Sequence, residues 1–155
     1  MNEHDPIISF LLEEKVVSPE DLQPVLAQHK ETGEGLLRLL QQEKLVDDEQ
    51  IARAVAVVND LDFVNLSPEM IDPLVAHLIS HDLANRHNLI PLRREDRQLI
   101  VAMSAPLDLR ARDEVELKTG DRVIPAAATP QAVQQAIHYH FDVANVTKQA
   151  IASMR

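Results

Sequence analysis

The chain has 155 residues, 45% of them apolar and only 3% aromatic, with no cysteine or tryptophan. That suits one compact domain or two small lobes with an aliphatic core, and it excludes disulfides, thiolate metal sites and a cysteine nucleophile. The formal net charge is −10, with 14 acidic and 5 basic residues in 1–66 against 11 and 10 in 67–155, so the acidic first lobe repels phosphate backbones and nucleic acid is not expected as a partner.

Residues 11–26 and 40–55 carry one pattern twice, offset by 29. Leu11 pairs with Leu40, Glu14 with Glu43, Lys15 with Lys44, Val16 with Leu45, Val17 with Val46 and Leu22 with Ile51. Each copy reads as helix, short apolar loop, capped helix, and such units bury their apolar faces mainly on each other. The first helix is predicted over residues 5–14. Ser18 then caps a second helix, with Pro19 at its first position, Glu20 and Asp21 complementing the positive helix end, and Thr32-Gly33 ending it. Val17 and Leu22 stand at the positions of a hydrophobic staple. In the second copy Asp47 is the cap, Val46 and Ile51 form the staple, and the last helix runs to about Val58.

A different lobe begins near Asp62. Residues 63–66 read as a short strand, and Ser67-Pro68-Glu69 caps a helical segment carrying Ile71, Leu74, Val75 and Leu78. Residues 81–87 form a further short helix. Residues 89–92 and 99–103 make a β-hairpin with a long polar tip at 93–97. A helix follows residues 105–108 and ends at Thr119-Gly120. Residues 122–124 are another strand, and Thr129-Pro130 caps a last amphipathic helix bearing Val133, Ile137 and Phe141. Residues 142–155 are polar and read as a linker or frayed helix. The expected fold is α+β: a helical tandem-repeat lobe over 1–60 and an α/β lobe of about three strands with flanking helices over 61–141.

The chemistry of a catalytic site is missing. The only glycines are Gly33, Gly35 and Gly120, and neither GxxxxGK[ST] nor GxGxxG occurs, so no phosphate-cradling loop is built here and no ATP hydrolysis is expected of this chain. His77 and His81 are four apart with no glutamate between them and no evident third ligand, so no metal site is expected. His138 and His140 are expected on the surface. The serines fall where caps and turns want them. Glu13/Glu14 and Asp47/Asp48 read as solvated acids in loops rather than a general acid/base pair. The short apolar runs are far below a membrane span, and MNEHDPIISF lacks the basic start of a signal peptide, which predicts a soluble cytoplasmic protein.

The stretch Pro91-Leu92-Arg93, Leu99-Ile100-Val101-Ala102-Met103-Ser104-Ala105-Pro106-Leu107-Asp108 and Thr119-Gly120, preceded by the tandem helical repeat, resembles the N-terminal domain of the ATPases of type II secretion and type IV pilus assembly. The resemblance spans residues 7–141. It implies a non-catalytic interaction or regulatory domain that docks the motor onto the cytoplasmic part of an inner-membrane platform protein, so that the chain is peripheral to that membrane through its partner. The ATPase module it implies lies beyond Arg155 or on another chain. In a subset of pilus-type motors the repeat binds cyclic di-GMP through a motif opening Arg-Leu-Gly and closing in Gln. Here those opening positions hold Pro6-Ile7-Ile8 and Gly35-Leu36-Leu37, and the closing ones hold His29 and Val58. No guanidinium is present to stack on guanine or pair with phosphate, so cyclic di-GMP is not expected as a ligand and no cofactor is expected. Two other roles compete with docking: a cyclic di-GMP sensor with a degenerate motif, and a stand-alone adaptor of the same machinery.

The acids around the two equivalent loops are either a solvated face or a docking rim for a basic partner. On the docking reading the partner-binding residues are Glu13, Glu14 and Val16 in the first copy and Glu43, Leu45, Asp47 and Asp48 in the second.

Overall fold

The structure is a computed structural model, and residues 5–142 are described. The chain divides into two compact units, Met1–Asp60 and Leu61–Arg155.

In the first unit the repeat is a repeat of structure. The helices are α1 (Pro6–Glu13), α2 (Pro19–Thr32), α3 (Leu36–Gln42) and α4 (Asp48–Val58). Glu14 and Glu43 end α1 and α3 with the same backbone angles, φ −81° and ψ 2° against φ −82° and ψ 3°. Lys15 and Lys44 follow, both left-handed at φ 59°. The Val16 N–H then bonds the Leu11 carbonyl at 3.0 Å, and the Leu45 N–H bonds the Leu40 carbonyl at 2.9 Å. This closure of the helix end usually takes glycine at the left-handed position, where a side chain costs roughly 1–2 kcal/mol. The buried valine that follows, Val17 or Val46, offsets that cost by fastening the loop to the core.

α1 packs against α4, and α2 against α3. Exchanging the two copies turns one contact into the other, the pattern of an approximate two-fold. The core holds Ile8, Leu11, Val17, Leu22, Val25 and Leu26 from the first copy and Leu36, Leu39, Leu40, Val46 and Ala54 from the second. Ser18 accepts from the Asp21 N–H, and Gly33 ends α2 at φ 76°. Pro24 lies inside α2 and gives up one helical hydrogen bond.

The second unit is built on a four-stranded mixed sheet in the order β1-β4-β3-β2. β1 (Asp62–Phe63) and β4 (Arg122–Ala127) are parallel, β4 and β3 (Gln98–Met103) are parallel, and β3 pairs antiparallel with β2 (Leu89–Glu95). The strand read over residues 63–66 is the two-residue β1, which starts one residue earlier and is shorter than the sequence suggested. It leaves the sheet after Val64, whose N–H bonds the Ala127 carbonyl at 2.9 Å.

The stretch that resembles the secretion and pilus ATPases is the crossover between the central strands. β3 is its Leu99–Met103 run. Asp108 caps α7 (Leu109–Thr119) by accepting from the Arg110 and Ala111 N–H groups. Gly120 ends α7 at φ 75°, a left-handed turn that suits glycine, and the chain enters β4.

Three expectations are corrected. The helical segment over 67–78 is split into a 3-10 turn, Pro68–Met70, and α5 (Pro73–Ala76). Pro73 holds Asp72 extended, at φ −69° and ψ 120°, and Asp72 then caps α5. The hairpin has no long polar tip, because β2 and β3 pair through Glu95 and Gln98 and turn on Asp96-Arg97, with Asp96 at φ 56°. His140 is not on the surface but 1% exposed, on α8 (Pro130–Phe141); His138 stays exposed. α6 (His81–His87) is capped by Ser80, so His81 does not share a helix with His77, the C-cap residue of α5.

Candidate docking site in the helical unit

The helical unit carries an open groove of about 300 Å³ that joins the two copies. From α2 it is lined by Glu20, Asp21, Pro24, Val25 and Gln28, and from the loop after α3 by Glu43 and Leu45. Glu20, Pro24 and Gln28 recur every four residues, one face of a helix. Val25 belongs to the buried core and Leu45 is half-buried against it. Three carboxylates thus stand around an apolar floor, and no basic side chain is in the lining.

The structure sorts the residues named from the sequence. Glu43 and Leu45 line the groove; Glu13, Glu14, Val16, Asp47 and Asp48 do not. Glu13 and Glu14 are exposed at the first loop, and Val16 is half-buried there. Val17 and Val46, at 2% and 5% exposure, face the core, as the staple positions read from the sequence require.

Asp47 and Asp48 have structural work. Asp47 forms a capping box with Gln50: its Oδ1 accepts from the Gln50 N–H at 2.8 Å, and the Gln50 side chain accepts from the Asp47 N–H at 2.9 Å. Asp48 accepts from Gln41 Nε2 at 2.6 Å, tying α4 to α3. Charge reversal at these two residues therefore tests folding as well as docking. We expect Asp47→Ala to lower stability by about 1 kcal/mol, within the 0.5–2 range of such caps. Urea unfolding checks it, and an unchanged midpoint would contradict the role.

Sequence reasoning missed Pro24, Val25 and Gln28. Their spacing on α2 was legible, but which helix face the second copy leaves uncovered was not.

At the cyclic-dinucleotide motif positions the side chains mostly serve the fold. Ile8 and Leu36 are 1% and 0% exposed. Gly35 is the N-cap of α3 and makes no side-chain capping bond. His29 Nδ1 donates to the Glu34 carbonyl beyond the end of α2.

In the second unit the main polar cluster ties α6 to α7. Glu114 joins Arg86 at 2.7 Å and His87 at 2.6 Å. Arg86 first, and then His87, hold the Glu114 carboxyl below the usual carboxylate range. Because its pKa is depressed on folding, this clasp contributes above that range and loses its contribution as pH falls through the lowered value. Among the described residues no three His, Cys, Asp or Glu side chains converge as metal ligands, and no helix is long and apolar enough to cross a membrane.

The chain thus joins a tandem-helical unit that bears an open groove to a mixed-sheet α/β unit. A family model described as the MshEN domain matches residues 59–146, more than half of the chain. The chain belongs to this family, the N-terminal domain of type II secretion and type IV pilus assembly ATPases. It is similar to the type IV pilus assembly ATPase PilB of Myxococcus xanthus, 21% identical over 132 residues, covering 85% of this chain and 23% of that protein. It is also similar to PilB of Thermus thermophilus, 29% identical over 133 residues, covering 84% of this chain and 15% of that protein. The chain thus spans less than a quarter of the length of these relatives. Among solved structures it resembles MshE with cdg at TM-score 0.73, with 23% identity and coverage of 87% of this chain and 98% of that one. The N-terminal domain of XpsE matches at TM-score 0.63 and 25% identity, covering 89% of this chain and 95% of that one. The MshE likeness is one of fold.

Proposed function

We propose that this domain docks a pilus or secretion motor onto the cytoplasmic domain of an inner-membrane platform protein, holding the motor at the membrane from the cytoplasmic side. The observation that carries the reading is the groove between the copies, where Glu20, Asp21 and Glu43 surround Val25 and Leu45. An acidic rim speeds encounter with a basic surface, and apolar anchors at its floor decide how long the complex lasts. The test is a titration with the candidate platform domain at rising salt. Association should slow as salt rises, because exposed charges are screened within about 8–10 Å at physiological strength. Binding with no salt dependence, or none at all, would move the docking face to the α/β unit or remove it from this domain.

A second reading comes from MshE, whose structure is described with cdg. If the shared fold carried the shared ligand, cyclic di-GMP would bind this helical unit. Two features support the opposite outcome: the motif positions lack arginine in both copies, and the formal charge over residues 1–66 is −9. We expect no thermal shift at tens of micromolar cyclic di-GMP. A saturable shift lost on changing residues 6–8 or 35–37 would establish the sensor reading instead.

A further inference from the structure

The N–H and C=O groups of a strand point alternately toward its two sides. In β4 the Arg122 N–H donates to the Arg97 carbonyl at 2.8 Å, and just past β4 the Ala128 N–H donates to the Met103 carbonyl at 3.1 Å, both toward β3. The odd-numbered residues therefore face the other side, where the Ala127 carbonyl accepts from the Val64 N–H at 2.9 Å. β1 is in register only with Ala126 and Ala127. Among the described residues, no strand lies beside the Arg122–Pro125 part of β4 on that side. An open strand edge is a template for pairing with another chain.

Two residues close this edge. The outward Val123 N–H donates to Glu116 Oε2 at 2.8 Å. Glu116 belongs to the last turn of α7, and the left-handed turn at Gly120 folds the chain back so that β4 starts within its reach. Two positions on, Pro125 faces the same edge and has no N–H to offer. The next outward residue, Ala127, already lies beside β1. The open part of β4 thus presents no free donor. It has apolar surface that pairing would cover: Ile124 is only half-buried, and Leu117, next to Glu116, is 85% exposed.

We infer that Glu116 and Pro125 are an edge guard, which keeps β4 from pairing with the same strand of a second copy and so holds the sheet at four strands. The Glu116 carboxylate stands in for the carbonyl of a missing strand, and the proline removes the donor that the carboxylate does not reach. A second copy would have to displace a charge-assisted bond at Val123 and would recover only ordinary backbone bonds. At Pro125 it would gain no bond from β4's N–H side. The two-residue β1 completes the closure, since a short edge strand leaves little ladder to extend.

The test is self-association of the 155-residue chain, followed by sedimentation velocity over a concentration series. The natural sequence is compared with Glu116→Gln and with Glu116→Ala combined with Pro125→Val. Glu116→Gln keeps an accepting oxygen and should match the natural chain. The combined variant exposes donors at positions 123 and 125 and should associate at concentrations lower by about tenfold or more. Hydrogen exchange locates the contact: the Val123 amide should exchange about tenfold faster in dilute Glu116→Ala than in the natural chain, and regain protection when the combined variant associates. Unchanged association in the combined variant, or association that leaves Val123 unprotected, would overturn the guard. Should the combined variant fail to fold, Glu116→Ala alone decides. It should associate more strongly than the natural chain and exchange Val123 faster, and failure of either result overturns the inference.

Discussion

Leu40→Ala should remove most of the stability of the helical unit. Leu40 is fully buried at the turn where α3 ends, its carbonyl receives the Leu45 N–H, and it packs in the core of both copies. Truncating such a leucine costs about 2–5 kcal/mol, the upper part where neighbours do not collapse into the space. A unit of this size draws only about 3–5 kcal/mol from a single core. The expected result is loss of helical circular dichroism at low urea, with amides of α1 to α4 exchanging early. Leu11→Ala, at the equivalent position and 1% exposed, should behave alike. A loss under about 1 kcal/mol at both sites would mean that the repeat core is not shared as described.

The second large effect is expected on docking. Glu20→Lys with Glu43→Lys reverses two of the three charges around the groove while leaving every capping bond in place. Association with a basic platform domain should slow about tenfold or more at low salt, and the difference should shrink as salt rises. Leu45→Ala tests the floor. A desolvated anchor is worth more than about 1 kcal/mol, so dissociation should quicken about tenfold with little change in association rate. Stopped-flow or surface kinetics separate the two. If the charge reversals leave association unchanged across salt while Leu45→Ala also has no effect, the groove is not the docking face.

From the sequence, Asp47 stands out as a cap, but Glu43 and Asp48 look alike, two acids flanking one loop. In the fold, Asp47 is bound to the Gln50 N–H and Asp48 to Gln41, while Glu43 lines the groove. Capping by Asp47 was legible, since an Asp before a helical run with Gln three residues on is a local signature. The bond of Asp48 to Gln41 spans two helices and depends on how they pack. His140 was misplaced for a related reason: its neighbour Pro68 is 72 residues away, beyond any local pattern. Periodicity could place His140 on α8 but could not say that the 3-10 turn covers it. The break at Asp72-Pro73 was legible in principle, because proline restricts the residue before it, but the apolar spacing of Ile71, Leu74, Val75 and Leu78 pointed to one continuous helix.

By itself the sequence determined what local chemistry can determine. The 29-residue offset fixed two equal helix–loop–helix units; Ser18, Asp47, Asp108 and Thr129 fixed where helices start; and Gly33 and Gly120 fixed where two of them stop. These follow from dihedral limits and capping bonds that act within a few residues. Tertiary structure alone decided the pairing of α1 with α4 and α2 with α3, the parallel seat of β1 beside β4, the groove that joins Leu45 to α2, and the burial of His140. Each of these depends on which apolar face covers which, a choice made by burying area between segments far apart in the chain.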